Sequence, residues 1–325
     1  MSRRLACGWV AMLLVGTAGG VGAAPPGDDP EQVVVDFVID ARGKVERDEK
    51  APGRPVVAVS LSGAELANDD LKRLAALPKL RSLDLSRTAV TDGGMAHLAK
   101  LPALRSLNLE RTEVGDDGLK VVAEFRGLTT LTLSNTEVTD AGLKRLAALA
   151  GLEVLNLSET GVTDLGVKHL AALTSLTSLD LDATPVTDAG VAELAGLAKL
   201  TAVSLNGTAV GDAAVKSLCT RTKLTLLGLL STKVTDAGLK PLAGLTRLET
   251  LHLGETAVTD AGLPHLAGLK SLKELDLQGT AVTDDGVLAL APLRKLFILS
   301  LDGSKVTEAG AAALRVKLPN CVVGR

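Results

Sequence analysis

The sequence predicts an α/β solenoid, one elongated body made by stacking copies of a short strand-and-helix unit. Three observations predict it. A 24-residue unit recurs without insertion from about Val56 to Pro319, the signature of a repeat architecture rather than of separate globular domains. Within each unit the apolar spacing switches from strand-like alternation to a helical period. Apolar residues make up 46% of the chain and aromatics 1%, so the interior is filled by Leu, Val and Ala. That suits aliphatic columns in which each copy packs on its own image.

In chain order, residues 1–24 read as a signal peptide. Arg3 and Arg4 supply the charge, Leu5 to Val15 the apolar stretch, and Gly22, Ala23 and Ala24 a small-residue cleavage site before Pro25. The stretch is short and Gly-rich for a membrane span, so export is expected, with a retained anchor as the alternative. Removing it deletes two Arg and no acid, taking the formal charge from −3 to −3 − 2 = −5. Residues 25–30 read as a linker and 31–55 as an N-terminal cap, since a bare terminal repeat would expose its core. In that cap Val33, Val34, Phe37 and Val38 recur with helical spacing. Gly43 marks a turn, and Lys44 to Arg47 suits a strand leading through Pro52 and Pro55 into the first repeat.

Leu80, Leu104, Leu128, Leu152, Leu176, Leu200, Leu224, Leu248, Leu272 and Leu296 set ten units in register. Each runs Leu-x-x-Leu-x-Leu, with Val203 the one replacement, and then shows Thr at 88 and every 24 residues to 280, with Ser304 last. A Val column follows from Val90 to Val306, and Val59, Leu61, Ala64 and Leu66 form a degenerate first copy, making eleven repeats over 56–319. Leu83 and Leu85 alternate as a short strand with both side chains inward. The Thr hydroxyl is placed to bond backbone groups where the chain bends off the sheet. Asp92, after Thr91, is expected to cap a helix of two or three turns whose Met95 and Leu98 face inward, as do Leu143 and Leu146. The glycines at 94, 118, 142, 166 and 190 form a structural column near the helix start. Residues 320–325 read as a last strand that caps the sheet.

The unit Leu-x-x-Leu-x-x-Leu-x-Leu-x-x-Thr-x-Val-Thr-Asp-x-Gly-Leu-x-x-Leu resembles bacterial secreted leucine-rich-repeat proteins. It is less closely similar to ribonuclease-inhibitor-like and F-box-associated cysteine-containing repeats. The resemblance implies a curved leucine-rich-repeat solenoid with a parallel sheet on the concave face and short helices on the convex face. It does not imply one activity, since function sits on the variable positions of such folds. An F-box-type ubiquitin-ligase receptor is disfavoured, because no F-box segment precedes the repeats and a signal peptide points away from that role.

Repeat spacing also decides what chemistry the chain can assemble. His97, His169 and His265 share a helix column but sit several repeats apart, roughly 15 Å or more at ~4.8 Å per strand, and His252 lies on the strand face. No pair can share a metal, whose ligands lie about 2 Å from one centre. No phosphate-binding Gly loop, nucleophile elbow, paired-Cys motif or zincin helix is present. The sequence reads as no enzyme, with no cofactor and no metal. Cys219 and Cys321 are about four repeats apart, roughly 19 Å against a disulfide reach of about 7 Å, so both read as small buried apolar residues.

The strand residues that point out of the sheet form the candidate binding surface. Their columns contain Asp84, Glu110, Asp180, Asp182, Glu274, Asp276 and Asp302 and no Lys or Arg. A negative inner face is expected, which disfavours nucleic acid and suits a protein or peptide with a basic surface. The unit from Leu200 departs from the pattern with Val203, Gly211, Ala214 and Arg221, and the next shows Leu226, Gly228 and Leu230 outward. Leu226 and Leu230, with Ser204, Asn206 and His252 around them, are a candidate apolar contact patch. The expected function is non-catalytic protein recognition or scaffolding by an exported protein that keeps no stable membrane insertion after signal cleavage. The alternatives are a cell-envelope spacer and an inhibitor of a secreted enzyme, as the ribonuclease-inhibitor resemblance implies.

Overall fold

Each unit of the chain closes on the next through one strand, one buried turn and a short helix or run of 3-10 turns. The computed structural model describes Asp29 to Arg325. The signal-peptide reading and residues 25–28 of the linker lie outside the described residues. The strands are β1 (Lys44–Arg47), β2 (Val56–Ser60), β3 (Ser82–Asp84), β4 (Ser106–Asn108), β5 (Thr130–Thr132), β6 (Val154–Asn156) and β7 (Ser178–Asp180). They continue as β8 (Ala202–Ser204), β9 (Leu226–Gly228), β10 (Thr250–His252), β11 (Glu274–Asp276), β12 (Ile298–Ser300) and β13 (Val322–Gly324). All thirteen lie in one sheet in sequence order.

From β2 onward neighbours are parallel and pair like with like, Leu83 with Leu107 and Leu107 with Leu131. The first pair differs: β1 runs antiparallel to β2. The eight residues 48–55 between them are too few for the crossover that a parallel neighbour needs. Ahead of β1 the helix Pro30–Asp40 starts on Asp29, whose side chain accepts the Glu31 amide at 3.0 Å, and buries Val34, Val35 and Val38. Val33, expected on that inward face, is exposed, because the buried stripe lies one residue further on.

The Leu and Val columns merge into one continuous core running the length of the stack. The Thr column closes the turn after each strand. Thr88 Oγ1 donates to the Leu85 carbonyl at 2.7 Å, and Thr160, Thr184, Thr208, Thr232 and Thr256 repeat the bond at 2.6 Å. A buried carbonyl that the bend leaves without a sheet partner is thereby satisfied.

Most helices of the repeats reach about two turns at most, and only the last, Glu308–Lys317, has ten residues. Asp92–Met95 has four residues and Asp140–Leu146 seven, and the unit after β10 makes only the 3-10 turns of Leu263–Gly268. The cause is the Leu spacing. Leu101 and Leu104 must both return to the core, and their amides bond Leu98 and Leu101 in successive tight turns.

The helix cap is Thr, not Asp as the sequence suggested. Thr91 Oγ1 accepts the Gly93 amide at 3.2 Å, and Thr163 Oγ1 the Leu165 amide at 3.2 Å. The Asp one residue on is thereby free to reach into the next repeat. Asp140, which follows the capping Thr139, accepts the backbone amide of Thr163 at 2.7 Å and its hydroxyl at 2.7 Å. The glycine column follows from that reach. A Cβ at Gly118 would lie 2.6 Å from Asp92 Oδ1, and one at Gly142 or Gly166 would collide with Asp116 or Asp140.

Candidate functional site

The strand residues on either side of each buried Leu face away from the core and stack from repeat to repeat. Five of them have a local task that the sequence reading missed. Asp84, Asn108, Asn156, Asp180 and Asp276 each accept the amide two residues on, that of Ser86, Glu110, Ser158, Asp182 and Gln278, at 2.8–3.0 Å. This Asx turn ends the strand and fixes one side-chain oxygen at the lip of the sheet. The next outward column is less open than expected. Ser86, Ser134 and Ser158 are buried, and their hydroxyls pair with neighbouring repeats, Ser86 with Ser62 at 2.9 Å and Ser134 with Ser158 at 2.7 Å.

Charge is unevenly spread along this face. Near the N-terminal end Asp84 also accepts the Ser60 hydroxyl at 3.0 Å, and Glu110 lies 3.9 Å from Arg87 and 3.8 Å from Arg111. The outward columns carry no Lys or Arg, but the positions flanking them carry Arg81, Arg87, Arg105 and Arg111, so at this end four arginines outnumber the two acids Asp84 and Glu110. In mid-face Asp182 accepts both the backbone and side-chain amides of Asn206, at 2.7 and 2.9 Å. Towards the C-terminal end Glu274, Asp276 and Asp302 converge. Burial pushes the Asp276 carboxyl above the usual carboxylate range, and the charges of Glu274 and Asp302 add to this against the Gln278 amide and His252. His252 Nε2 lies 3.8 Å from Glu274.

The apolar patch expected at Leu226 and Leu230 is half-buried. The space left by Gly228 is taken by Asn206, which leans across to accept the Leu230 amide at 2.8 Å and to donate to Ser204 at 2.9 Å. Over Gly254, Gln278 and Leu230 close in the same way. The apolar side chains that stay open on the sheet lie at its C-terminal end. Phe297 is 58% exposed, Ile298 39% and Val322 61%. A signal for this was present in the sequence. The position before the strand is polar in all nine units from Arg81 to Lys273 and becomes Phe297 in the tenth.

Among the described residues, no three His, Cys, Asp or Glu side chains are grouped to hold a metal ion. Cys219, half-buried, and Cys321, buried, are unbridged, and burial pushes each thiol up to about 11. Neither is therefore a thiolate nucleophile at neutral pH. His97 Nε2 lies 3.4 Å from an Asp69 carboxylate oxygen.

The profile of the family described as Leucine Rich repeat matches residues 76–99, 100–123, 128–147, 172–195 and 268–291. The fold is a leucine-rich-repeat solenoid. An internalin of Listeria monocytogenes superposes with a TM-score of 0.62 over 92% of this chain and 95% of its own, at 21% identity. A leucine-rich-repeat protein of Leptospira interrogans gives a TM-score of 0.53 over 78% of this chain and 74% of its own, at 18% identity. A TDR receptor gives 0.52 over 72% of this chain and 41% of its own, at 17% identity. At such identities the likeness is one of fold. No curated protein matches the chain in sequence. In a leucine-rich-repeat solenoid the sheet lines the concave side, so the face described above is the inner one.

Proposed function

We propose that this leucine-rich-repeat protein is a non-catalytic recognition module that works outside the cytoplasm. It binds proteins or peptides with a basic surface through its concave face. One observation carries the reading: the outward strand columns hold seven acids and no Lys or Arg, and the acids least offset by neighbouring arginines lie from Asp180 to Asp302. A face of one sign attracts the opposite one and steers its approach, while the absence of cations from these columns disfavours a phosphate backbone. Export is supported by the character of residues 1–24. Among the described residues no helix is long and apolar enough to cross a membrane.

The test is binding of a panel of basic and acidic proteins to immobilised chain, at low and high salt, against the triple variant Asp180→Asn/Asp182→Asn/Asp276→Asn. Asn108 and Asn156 already make the Asx turn, so Asn at 180 and 276 removes charge and keeps the fold. Retention of basic proteins should fall in the variant and with salt. Equal retention by both chains would overturn the proposal.

A further inference from the structure

The C-terminal end of the concave face differs from the rest in two ways that meet at one place. Ile298 and Val322 are paired across β12 and β13, which puts their side chains ~5 Å apart on the same side of the sheet. Phe297 stands immediately before Ile298, and its carbonyl accepts the Val322 amide at 2.8 Å. All three are open to solvent and lie next to one another along the chain or across the strand pair. The chain contains three Phe and no Tyr. Phe125 is buried in the core, Phe37 packs under Arg73 at 5.0 Å, and Phe297 alone of the three stands open on the sheet.

Acids border this surface directly. Glu274 pairs in register with Ile298, and Asp276 with Ser300, while Asp302 follows two residues after Ser300 and is exposed. Of the neighbouring cations, Lys273 is held by Glu249 at 2.7 Å, while Lys295 lies two residues before Phe297 and is exposed. An aromatic and two β-branched side chains open to solvent, beside three carboxylates and within about two strand spacings, combine a hot-spot anchor with a charged rim.

We infer that Phe297, Ile298 and Val322, bordered by Glu274, Asp276 and Asp302, form the anchoring subsite for a protein segment that presents a large apolar side chain flanked by Lys or Arg. The inference rests on the proposed reading of the concave face and adds where on it the partner is held and by what chemistry. The apolar anchor supplies affinity by burial. The acids select the flanking charge and reject acidic segments by repulsion.

The experiment selects phage-displayed random dodecapeptides on the purified chain and measures the enriched peptides, as synthetic probes, against two variants. Phe297→Ser/Ile298→Thr alters only exposed positions, and Asp180→Asn/Asp182→Asn alters the mid-face. Enriched peptides should carry Lys or Arg around an apolar residue. They should lose at least ~10-fold in affinity, about 1.4 kcal/mol, for the Phe297→Ser/Ile298→Thr chain. Peptides that bind this variant unchanged but lose affinity for the mid-face variant would overturn the subsite and leave the basic-partner reading standing. Failure to enrich any peptide, or indifference to both variants, would overturn both. Sedimentation of the same chains provides a separate check. A dimer abolished by Phe297→Ser/Ile298→Thr would assign the surface to a second copy and overturn the inference.

Discussion

The carboxylate of Asp140 holds Thr163 of the following repeat by two bonds, Oδ1 accepting its backbone amide at 2.7 Å and Oδ2 its hydroxyl at 2.7 Å. The same pair recurs at Asp164–Thr187, Asp212–Thr235, Asp236–Thr259, Asp260–Thr283 and Asp284–Thr307. Thr163 also caps its own helix, so one hydroxyl joins the cap of one repeat to the carboxylate of the one before. The convex side is laced by this ladder much as the sheet is laced by backbone bonds.

Asp140→Ala should remove both bonds and cost ~2 kcal/mol of stability. Asp140→Asn should cost much less. Asn68 fills the same position in the first unit, its Oδ1 accepting the Thr91 amide at 3.1 Å and its Nδ2 donating to the Thr91 hydroxyl at 2.8 Å. Urea unfolding of the two variants checks the ranking, and equal losses would mean that the charge rather than the bond geometry matters.

Gly166→Ala should destabilise, against the usual helix preference for Ala over Gly of ~1 kcal/mol. The new Cβ would meet Asp140 Oδ1 and lie 3.1 Å from both Asp140 Cα and Leu143 Cδ1, so over-packing of ~1–3 kcal/mol is expected. In an Asp140→Ala background the penalty should shrink, which a double-mutant cycle measures. The chain contains a natural version of this experiment. Where the column reads Ala214 instead of Gly, Asp188 Oδ1 accepts the Gly211 and Ala214 amides at 2.7 and 3.1 Å, and the Thr partner is gone.

Two carboxylates should give opposite pH dependences. The Thr307 hydroxyl, followed by its amide, holds Asp284 below the usual carboxylate range. Its contribution is therefore present above the unfolded value of about 4 and lost as pH falls through the lower folded value. Burial raises Asp276, so its contribution is present below about 4 and lost as pH rises through the higher folded value. Asp284→Asn should flatten the acid limb of a stability–pH profile, and Asp276→Asn the limb just above it. Urea midpoints measured across the acid range report both slopes.

How much of this was legible in the sequence depended on whether a partner falls inside the unit. The Leu, Val and Thr columns repeat at a fixed interval, and their partners are their own copies or a carbonyl three residues back, so the core and the buried turn could be read directly. Asp92 looked like a cap because Thr-Asp is a good local helix start. The residue it serves, Gly115, is 23 positions on and becomes visible only when repeats are stacked. At the face, Leu226 and Leu230 form an outward pair in the repeat pattern, but Asn206 reaches across from the previous repeat and fills the space beside them. Phe297 breaks a column outside the three outward ones, so the outward pattern does not contain it.

One residue per unit adopts the left-handed conformation after the strand, with φ of 59° at Arg87, 52° at Ala183, 67° at Gly207 and 63° at Gly279. Non-glycine residues there cost ~1–2 kcal/mol, partly offset by the greater unfolded-state entropy of Gly. Gly207→Val should therefore lower stability by ~1–2 kcal/mol, although the new Cβ would meet Ala183 only at ordinary contact distances of 3.8–3.9 Å. Ala183→Gly should be neutral or stabilising by up to ~1 kcal/mol. Thermal midpoints of the two variants, moving in these directions, would attribute the effect to backbone conformation rather than to packing.

Arg221 stands where the units on either side place Leu197 and Leu245, and it is 6% exposed. Its Nη1 donates to the Ser217 carbonyl at 2.7 Å and reaches Thr220 Oγ1 at 3.4 Å, while Nε and Nη2 are buried without a hydrogen-bond partner. The same unit has Gly211 in place of the capping Thr, with no side-chain cap bond. In a solenoid, stability is close to a sum of unit and interface terms, so these deficits weaken one interface in the middle of the stack. Arg221→Leu restores the column and should raise stability by ~1–3 kcal/mol. Hydrogen exchange should show the amides of 200–223 opening before their neighbours in the parent chain and approaching them in the variant. A lower unfolding midpoint for Arg221→Leu would refute the assignment, since it would mean that the buried guanidinium contributes more than the Leu it displaced.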